Sequence, residues 1–380
     1  MTVALPLVIS LAVMAYAWPA SRIAPRDLPI GVVGTSAASQ NAVEGLAHSK
    51  PGGFDFHLYP DQASASSAIK SREVYGAFVV TPGRVKVMEA TAASTSVAQL
   101  LTTAGQQLAA HAPKFPVQRT TSSDGPHVRS NASKTVRRTA PRVEVVDIVP
   151  IAESDPRGVV FSSALLPLTM CGIAIAALIA LSGTRIPVWR RLIDLVAACA
   201  VTGLAAYLIA QGLLGALPHE HVATWAALSL IMLAISSTTV GLITRVGSPG
   251  LILSAVLMVF VGNPFSGSTS APELLPKAVD DIGQWLPPGA GANLLRSTAY
   301  FEGNGSAGHI AVLVAWSVLG LASVALGRRS PVVESGTSAG DLPRTEATSA
   351  PALAVSGAAT ALSASPVDHP HAHARHAAHE

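Results

Sequence analysis

Hydrophobic positions in this chain fall into two kinds of run. The long kind is nearly unbroken: residues 3–18, 159–181, 192–214, 222–243 and 310–326 are apolar with hardly a charge. A hydrocarbon core of roughly 30 Å needs about 20 such residues in a helix, so each of these stretches predicts a membrane crossing. The first run is the shortest and is closed by Pro19. It reads either as a slightly short retained helix or as the hydrophobic part of a cleaved signal peptide ending near Ala17. With no basic residue ahead of it, the retained helix is the expectation, and both readings send the following segment outside.

The short kind of run lies between the first two long ones. Residues 28–34 (LPIGVVG), 54–59 (FDFHLY), 75–81 (YGAFVVT), 84–89 (RVKVME) and 143–148 are rich in β-branched and aromatic residues and bounded by Gly or Pro, which predicts strands. Pro82-Gly83 is a tight-turn signal that makes a hairpin of the third and fourth. Residues 37–48, 61–71 and 93–110 have helical composition and separate the strands. A small α/β domain over 22–158 follows, interrupted at 113–141 by a Ser-, Thr-, Pro- and Lys/Arg-rich insertion.

One further apolar stretch matches neither kind. Residues 251–301 begin as a helix too short to span comfortably, break at Gly262-Asn263-Pro264, and continue through Pro272, Pro276, Pro287, Pro288, Gly289 and Gly291. These residues forbid one long helix. Irregular backbone at membrane depth survives only where protein buries it or where it lines a wet cavity. Residues 262–301 are therefore expected to form a re-entrant outer segment before the last span, with Asn263, Pro264, Pro287, Pro288 and Gly289 as a candidate outer gate.

Charge supplies an independent test of this layout. Placing the α/β domain outside puts Arg185, Arg190, Arg191, Arg245, Arg328 and Arg329 in cytoplasmic loops or the tail, whereas the opposing loop 215–221 has no Lys or Arg. That is the positive-inside pattern, with Lys277 and Arg296 as exceptions. Of the 380 residues, 49% are hydrophobic and only 12% charged, so the chain is far from an ordinary soluble domain, and it shows no basic stripe or aromatic platform for nucleic acid. Cys171 and Cys199 both fall inside apolar runs and read as packing residues.

The expected fold is thus an α-helical polytopic membrane protein: a first helix over 1–21, an extracytoplasmic α/β domain over 22–158, and a five-helix block over 159–329, making six transmembrane helices. This layout resembles that of ABC type-2 permeases and of the YhgE/Pip (phage infection protein) group. Within 262–300, GNPFSG, PELLP, IGQWLPPGA and LLRSTAYF resemble a signature of actinobacterial members. Architecture carries the likeness to about Arg329, whereas motif carries it over that stretch alone. The resemblance implies a multi-pass protein of a bacterial plasma membrane, acting as the membrane subunit of an exporter; the apolar, charge-poor spans suit an amphipathic or lipid-like substrate better than an ion. Two copies, or two related chains, would pair among membrane lipid, and a separate ATP-binding subunit would drive alternating access.

Carried onto this sequence, the short basic loop 182–191 (SGTRIPVWRR) becomes the candidate coupling loop, with Arg185, Arg190 and Arg191; topology and lipid headgroup contact would account for the same arginines. No G-x-x-x-x-G-K-[ST] phosphate loop occurs in the chain, so ATP would have to be hydrolysed by another protein. The second reading from the same resemblance is a scaffold or receptor whose external domain binds an envelope partner.

Enzymatic chemistry is not expected, and no cofactor or metal site is assigned. Gln211 is a polar residue within a span, and Glu273, Asp280 and Asp281 lie in the outer segment without a partnered His. His219-Glu220-His221 reads as a solvated loop. No nucleophile, base and orienting group assemble from the sequence. Residues 330–380 are rich in Ala, Ser, Thr, Gly and Pro and end in a His-rich stretch, which predicts a disordered cytoplasmic tail with loose metal affinity at most.

Overall fold

The computed structural model describes residues 4–34, 36–81, 84–111, 142–182, 186–217 and 220–327. The Pro82-Gly83 turn, the whole 113–141 insertion, Arg185, His219, Arg328, Arg329 and the 330–380 tail lie outside the described residues.

Five strands form one sheet: β1 (Leu28–Val33), β2 (Phe54–Tyr59), β3 (Gly76–Thr81), β4 (Arg84–Glu89) and β5 (Arg142–Asp147), in the order β2-β1-β3-β4-β5. β1 runs parallel to β2 and β3, β4 runs parallel to β5, and β3 and β4 pair antiparallel from Gly76↔Glu89 to Thr81↔Arg84, the pairing expected of a hairpin. The crossovers are α2 (Ala37–Ser49) and α3 (Gln62–Lys70), and α4 (Thr95–His111) precedes β5. Ser36 and Asp61 cap the first two by accepting from the Ser39 and Ser64 amides. Alternation along the strands sorts the two faces. Leu28, Ile30, Phe78, Val85 and Val87 pack with Leu46, Val97 and Leu101 from α2 and α4. Val33, Ala77, Val79 and Met88 face Ala65, Ala68 and Ile69 of α3, and this core runs on into the helical part of the molecule.

Four helices are long and apolar enough to cross a membrane: α5 (Val159–Leu181), α6 (Val188–Tyr207, extended by a π-helical turn to Leu213), α7 (His221–Val246) and α11 (Ala307–Leu326). This suggests a membrane-embedded protein. α1 (Ala4–Ser21) has 18 residues. α8 (Pro249–Ala255) widens into a π-helical stretch ending at Gly262 and is the short apolar element that the pattern anticipates.

α7 is the axis of the bundle, with Ile231, Met232, Ile235 and Val240 fully buried. Its neighbours approach on small residues. Gly241 meets Gly320 and Ser323 of α11, Gly203 of α6 meets Ser229, and Gly172 of α5 meets Ile235 and Ser236, whose Oγ donates to the Gly172 carbonyl at 2.8 Å. Small side chains let helix backbones come close where lipid offers no hydrophobic drive, and dispersion then holds them. Thr239 and Ser254 share a 2.6 Å hydrogen bond between α7 and α8.

Chain direction sorts the helix ends. Ser154, just before α5, donates to Gly215 after α6, so both those ends lie beside the sheet domain. Arg190 and Arg191 stand in the first turn of α6, and Arg245 in the last turn of α7, at the ends away from the sheet. These three arginines therefore lie at one end of the bundle and the sheet domain at the other.

Candidate functional site

Between the sheet domain and the bundle lie α9 (Lys277–Trp285) and α10 (Pro287–Tyr300). The prolines break the helix as expected: Leu286 is extended, and Pro287 and Pro288 occupy the first turn of α10, where a missing N–H costs nothing. The break is packed without slack. Gly283 rests on the Phe265 carbonyl and Gly289 on the Gly283 carbonyl, leaving no room for a Cβ at either position. Every residue of α10 is buried.

α10 nevertheless carries a polar face, with Asn293, Arg296 and Ser297 at helical spacing i, i+3, i+4. Arg72 reaches it from the sheet domain. The residue follows α3 with φ 62°, a left-handed backbone uncommon for a side chain of this size. Its Nη1 donates to the Asn293 carbonyl at 3.0 Å and to Ser297 Oγ, and its Nη2 donates to Asn293 Oδ1 at 3.0 Å. The guanidinium carbon lies 5.4 Å from the Phe301 ring centroid. Asn293 Nδ2 donates onward to Gln284 Oε1 at 2.7 Å, tying α9 into the same network.

Arg296 is 5% exposed, donates to Ser268 O at 3.2 Å and to Asn293 Oδ1 at 3.4 Å, and lies 4.9 Å from the Phe161 ring. Burial, with Arg72 nearby, lowers its pKa to about 10, which leaves it charged at neutral pH. Among the described residues neither guanidinium has a carboxylate within 4.0 Å.

Arg72 lines a cavity of about 250 Å³, together with Tyr75, Glu273, Asp280, Gln284, Asn293, Phe301 and His309. Tyr75 donates to Glu273 Oε2 at 2.6 Å, and burial followed by the Glu273 carboxylate raises its pKa well above the usual phenol value. Burial first, then Glu273 and Asp281, pushes the Asp280 carboxyl up to about 6; the Gln284 side chain and Lys277 oppose this only in part. Its Oδ1 is buried with no hydrogen-bond partner of good geometry, although the Gln284 amide lies close enough to favour the charged form slightly. Chain positions 24–26 brace the wall: the Ala24 and Arg26 amides donate to Leu274 and Glu273 carbonyls, and the Arg26 guanidinium donates to Leu274 O at 2.8 Å.

No family model, curated protein or solved structure matches this chain.

The functional reading of the chain accordingly stands on its geometry. The five residues of the expected outer gate lie around the helix break but not on this cavity. Pro288 packs on Gly262, Pro287 and Gly289 are buried in α10, and Asn263 donates twice to the Met258 carbonyl, both at 3.1 Å. Asn263 and Pro264 line a separate cavity of about 220 Å³ with Tyr16, Ile23, Leu165 and Leu166. Arg190 is exposed and Arg191 half-buried at the start of α6, remote in the fold from both cavities. Gln211 accepts from the Leu217 amide at 2.9 Å, closing the loop after α6.

Sequence reasoning left Glu273 and Asp280 without a partnered histidine; His309, from the first turn of α11, lines the same cavity but makes no ion pair with either among the described residues. Arg72, Tyr75, Gln284, Asn293 and His309 were all absent from the candidate set. The polar spacing on α10 was the one signal that could have revealed part of the site.

Proposed function

We propose that this chain is the membrane-spanning permease subunit of an ABC-type exporter, with an extracytoplasmic sheet domain. In this reading α1 and α8 complete six spans around α7. An amphipathic or lipid-like substrate passes by alternating access between two paired subunits, powered by a separate cytoplasmic ATPase. The observation that carries the reading is the polar cavity held between the sheet domain and the broken α9–α10 pair. A solute-sized site with ionisable walls, set where irregular backbone meets a helical bundle, is what a transport pathway needs at its mouth. Grouping of Arg190, Arg191 and Arg245 at the other end supports both the orientation and a basic docking surface for the ATPase.

The receptor reading draws on a different feature. β2 is an edge strand whose Leu58 is 65% exposed, and an uncovered edge of this kind can accept a strand from a partner.

Purification in mild detergent from the native host, with mass spectrometry of what accompanies the protein, separates the two. A stoichiometric ATPase that is lost from the Arg185→Ala, Arg190→Ala, Arg191→Ala variant is expected of the permease. Recovery with envelope proteins and no ATPase would replace that reading with the receptor.

A further inference from the structure

The cavity between the sheet domain and α9–α10 is lined by charge of both signs. On the sheet-domain side is Arg72. Three of its N–H bonds are taken up by Asn293 and Ser297, out of the five a guanidinium carries. All three acceptors are neutral, so its positive charge has no carboxylate within 4.0 Å among the described residues. On the α9 side is Asp280, whose carboxyl lines the cavity with Oδ1 buried and without a hydrogen bond of good geometry. Glu273 lines the same cavity with one oxygen engaged by Tyr75. A buried acceptor without a good donor and a buried cation without a close counterion are both costly. One occupant that satisfies both would carry a protonated amine at one end and an anionic oxyacid group at the other.

We infer that this cavity binds a small zwitterion, a primary ammonium paired with a carboxylate or phosphate a few ångströms away, with the ammonium donating to Asp280 and the anion accepting from Arg72. The size agrees, since about 250 Å³ lies just below the roughly 300–1,000 Å³ of drug-sized sites and suits a metabolite or a lipid headgroup rather than a large solute. A lone cation would meet the charge of Arg72, which Glu273 offsets only from beyond 4.0 Å, and a lone anion would face Asp280 and Glu273. Gln284 and Asn293 add neutral polar atoms along the wall. Two sources share this chemistry: a free α-amino acid, and the phosphoethanolamine head of a lipid. The inference deepens the permease reading by naming the head chemistry of its substrate. Its test uses the purified chain without any ATPase, so failure here and failure of the ATPase to copurify are separate results.

The experiment is calorimetric titration of the detergent-purified protein with four probes at equal millimolar concentration: L-alanine, O-phosphoethanolamine, ethanolamine and inorganic phosphate. Saturable binding of L-alanine or O-phosphoethanolamine, with ethanolamine and phosphate at least tenfold weaker, is expected; which zwitterion binds more tightly tells the free solute from the headgroup. Asp280→Asn keeps the shape of the wall and removes none of the hydrogen bonds that Arg72 makes. It should weaken the zwitterion by about tenfold or more through loss of a charge-assisted hydrogen bond, while leaving the unliganded protein folded. Failure of both zwitterions to bind overturns the inference. So does equal binding of ethanolamine or phosphate, and so does an unchanged affinity in the folded Asp280→Asn protein.

Discussion

Arg72, one residue beyond the turn that ends α3, holds Asn293 of α10 by both its main-chain oxygen and its side-chain oxygen, each at 3.0 Å. Over two hundred residues of chain separate the two, and the bond fixes the sheet domain to the broken helices. The forked geometry is specific to guanidinium, because two parallel donors meet two acceptors that share one residue.

Removing this fork should loosen the junction. Arg72→Ala is expected to cost about 2–3 kcal/mol, the range for buried hydrogen bonds made by a charged group. Arg72→Lys, a point charge on a flexible stem, should recover less than half of that loss. Thermal unfolding of the detergent-solubilised protein measures both; an Ala variant as stable as the parent would show that the fork holds nothing.

Asp280 gives the molecule a pH-dependent term. Its carboxyl is held near 6 in the fold against an ordinary value of 3.8. A raised folded-state pKa contributes stability that is complete below the ordinary value and is lost as pH rises through about 6. Asp280→Asn should therefore be stabilising at pH 8 by roughly 1 kcal/mol, a figure discounted because the side chain is partly exposed. The advantage should shrink to nothing near pH 4. Glu273, Asp281, Lys277, Arg72 and His309 surround the group and are unchanged in the variant. Paired unfolding curves across this pH range would expose a constant difference, which the account does not allow.

The helix break depends on the absence of side chains at two positions. A Cβ at Gly283 would collide with the Phe265 carbonyl, and backbone atoms cannot step aside as a flexible side chain can. Gly283→Ala is expected to destabilise by more than about 3 kcal/mol or to prevent folding. Gly45, within α2, has open space around its would-be Cβ, and Gly45→Ala should stabilise by about 0.5 kcal/mol. Expression level and melting temperature of the two variants should move in opposite directions.

Much of the architecture was legible because it is written locally. β-branched runs such as Gly76–Thr81 and Arg84–Glu89 declare strands, long apolar runs declare spans, and Pro287-Pro288 declares a break. The site was not legible for the opposite reason. Arg72 meets Asn293, and Asp280 and His309 come to line one cavity, only after the sheet domain has docked on α9 and α10, and no periodicity links residues so far apart. Arg296 shows the limit well: as a charge in an outer segment it registers only as an exception to the topology rule, yet it is nearly fully buried against Phe161. The expected gate residues cluster around the break, where Pro287, Pro288 and Gly289 are buried in α10, Gly289 against backbone, while Asn263 and Pro264 line the second cavity.

The central claim is that the sheet domain and its cavity face outward, opposite Arg190, Arg191 and Arg245. It is tested most directly by a membrane-impermeant maleimide on intact cells expressing the chain with Cys171 and Cys199 replaced by Ala. Gly52→Cys, in the turn before β2, should label at once, and Ser248→Cys, between α7 and α8, only after the membrane is opened. The reverse pattern, or labelling of both in intact cells, would contradict the account.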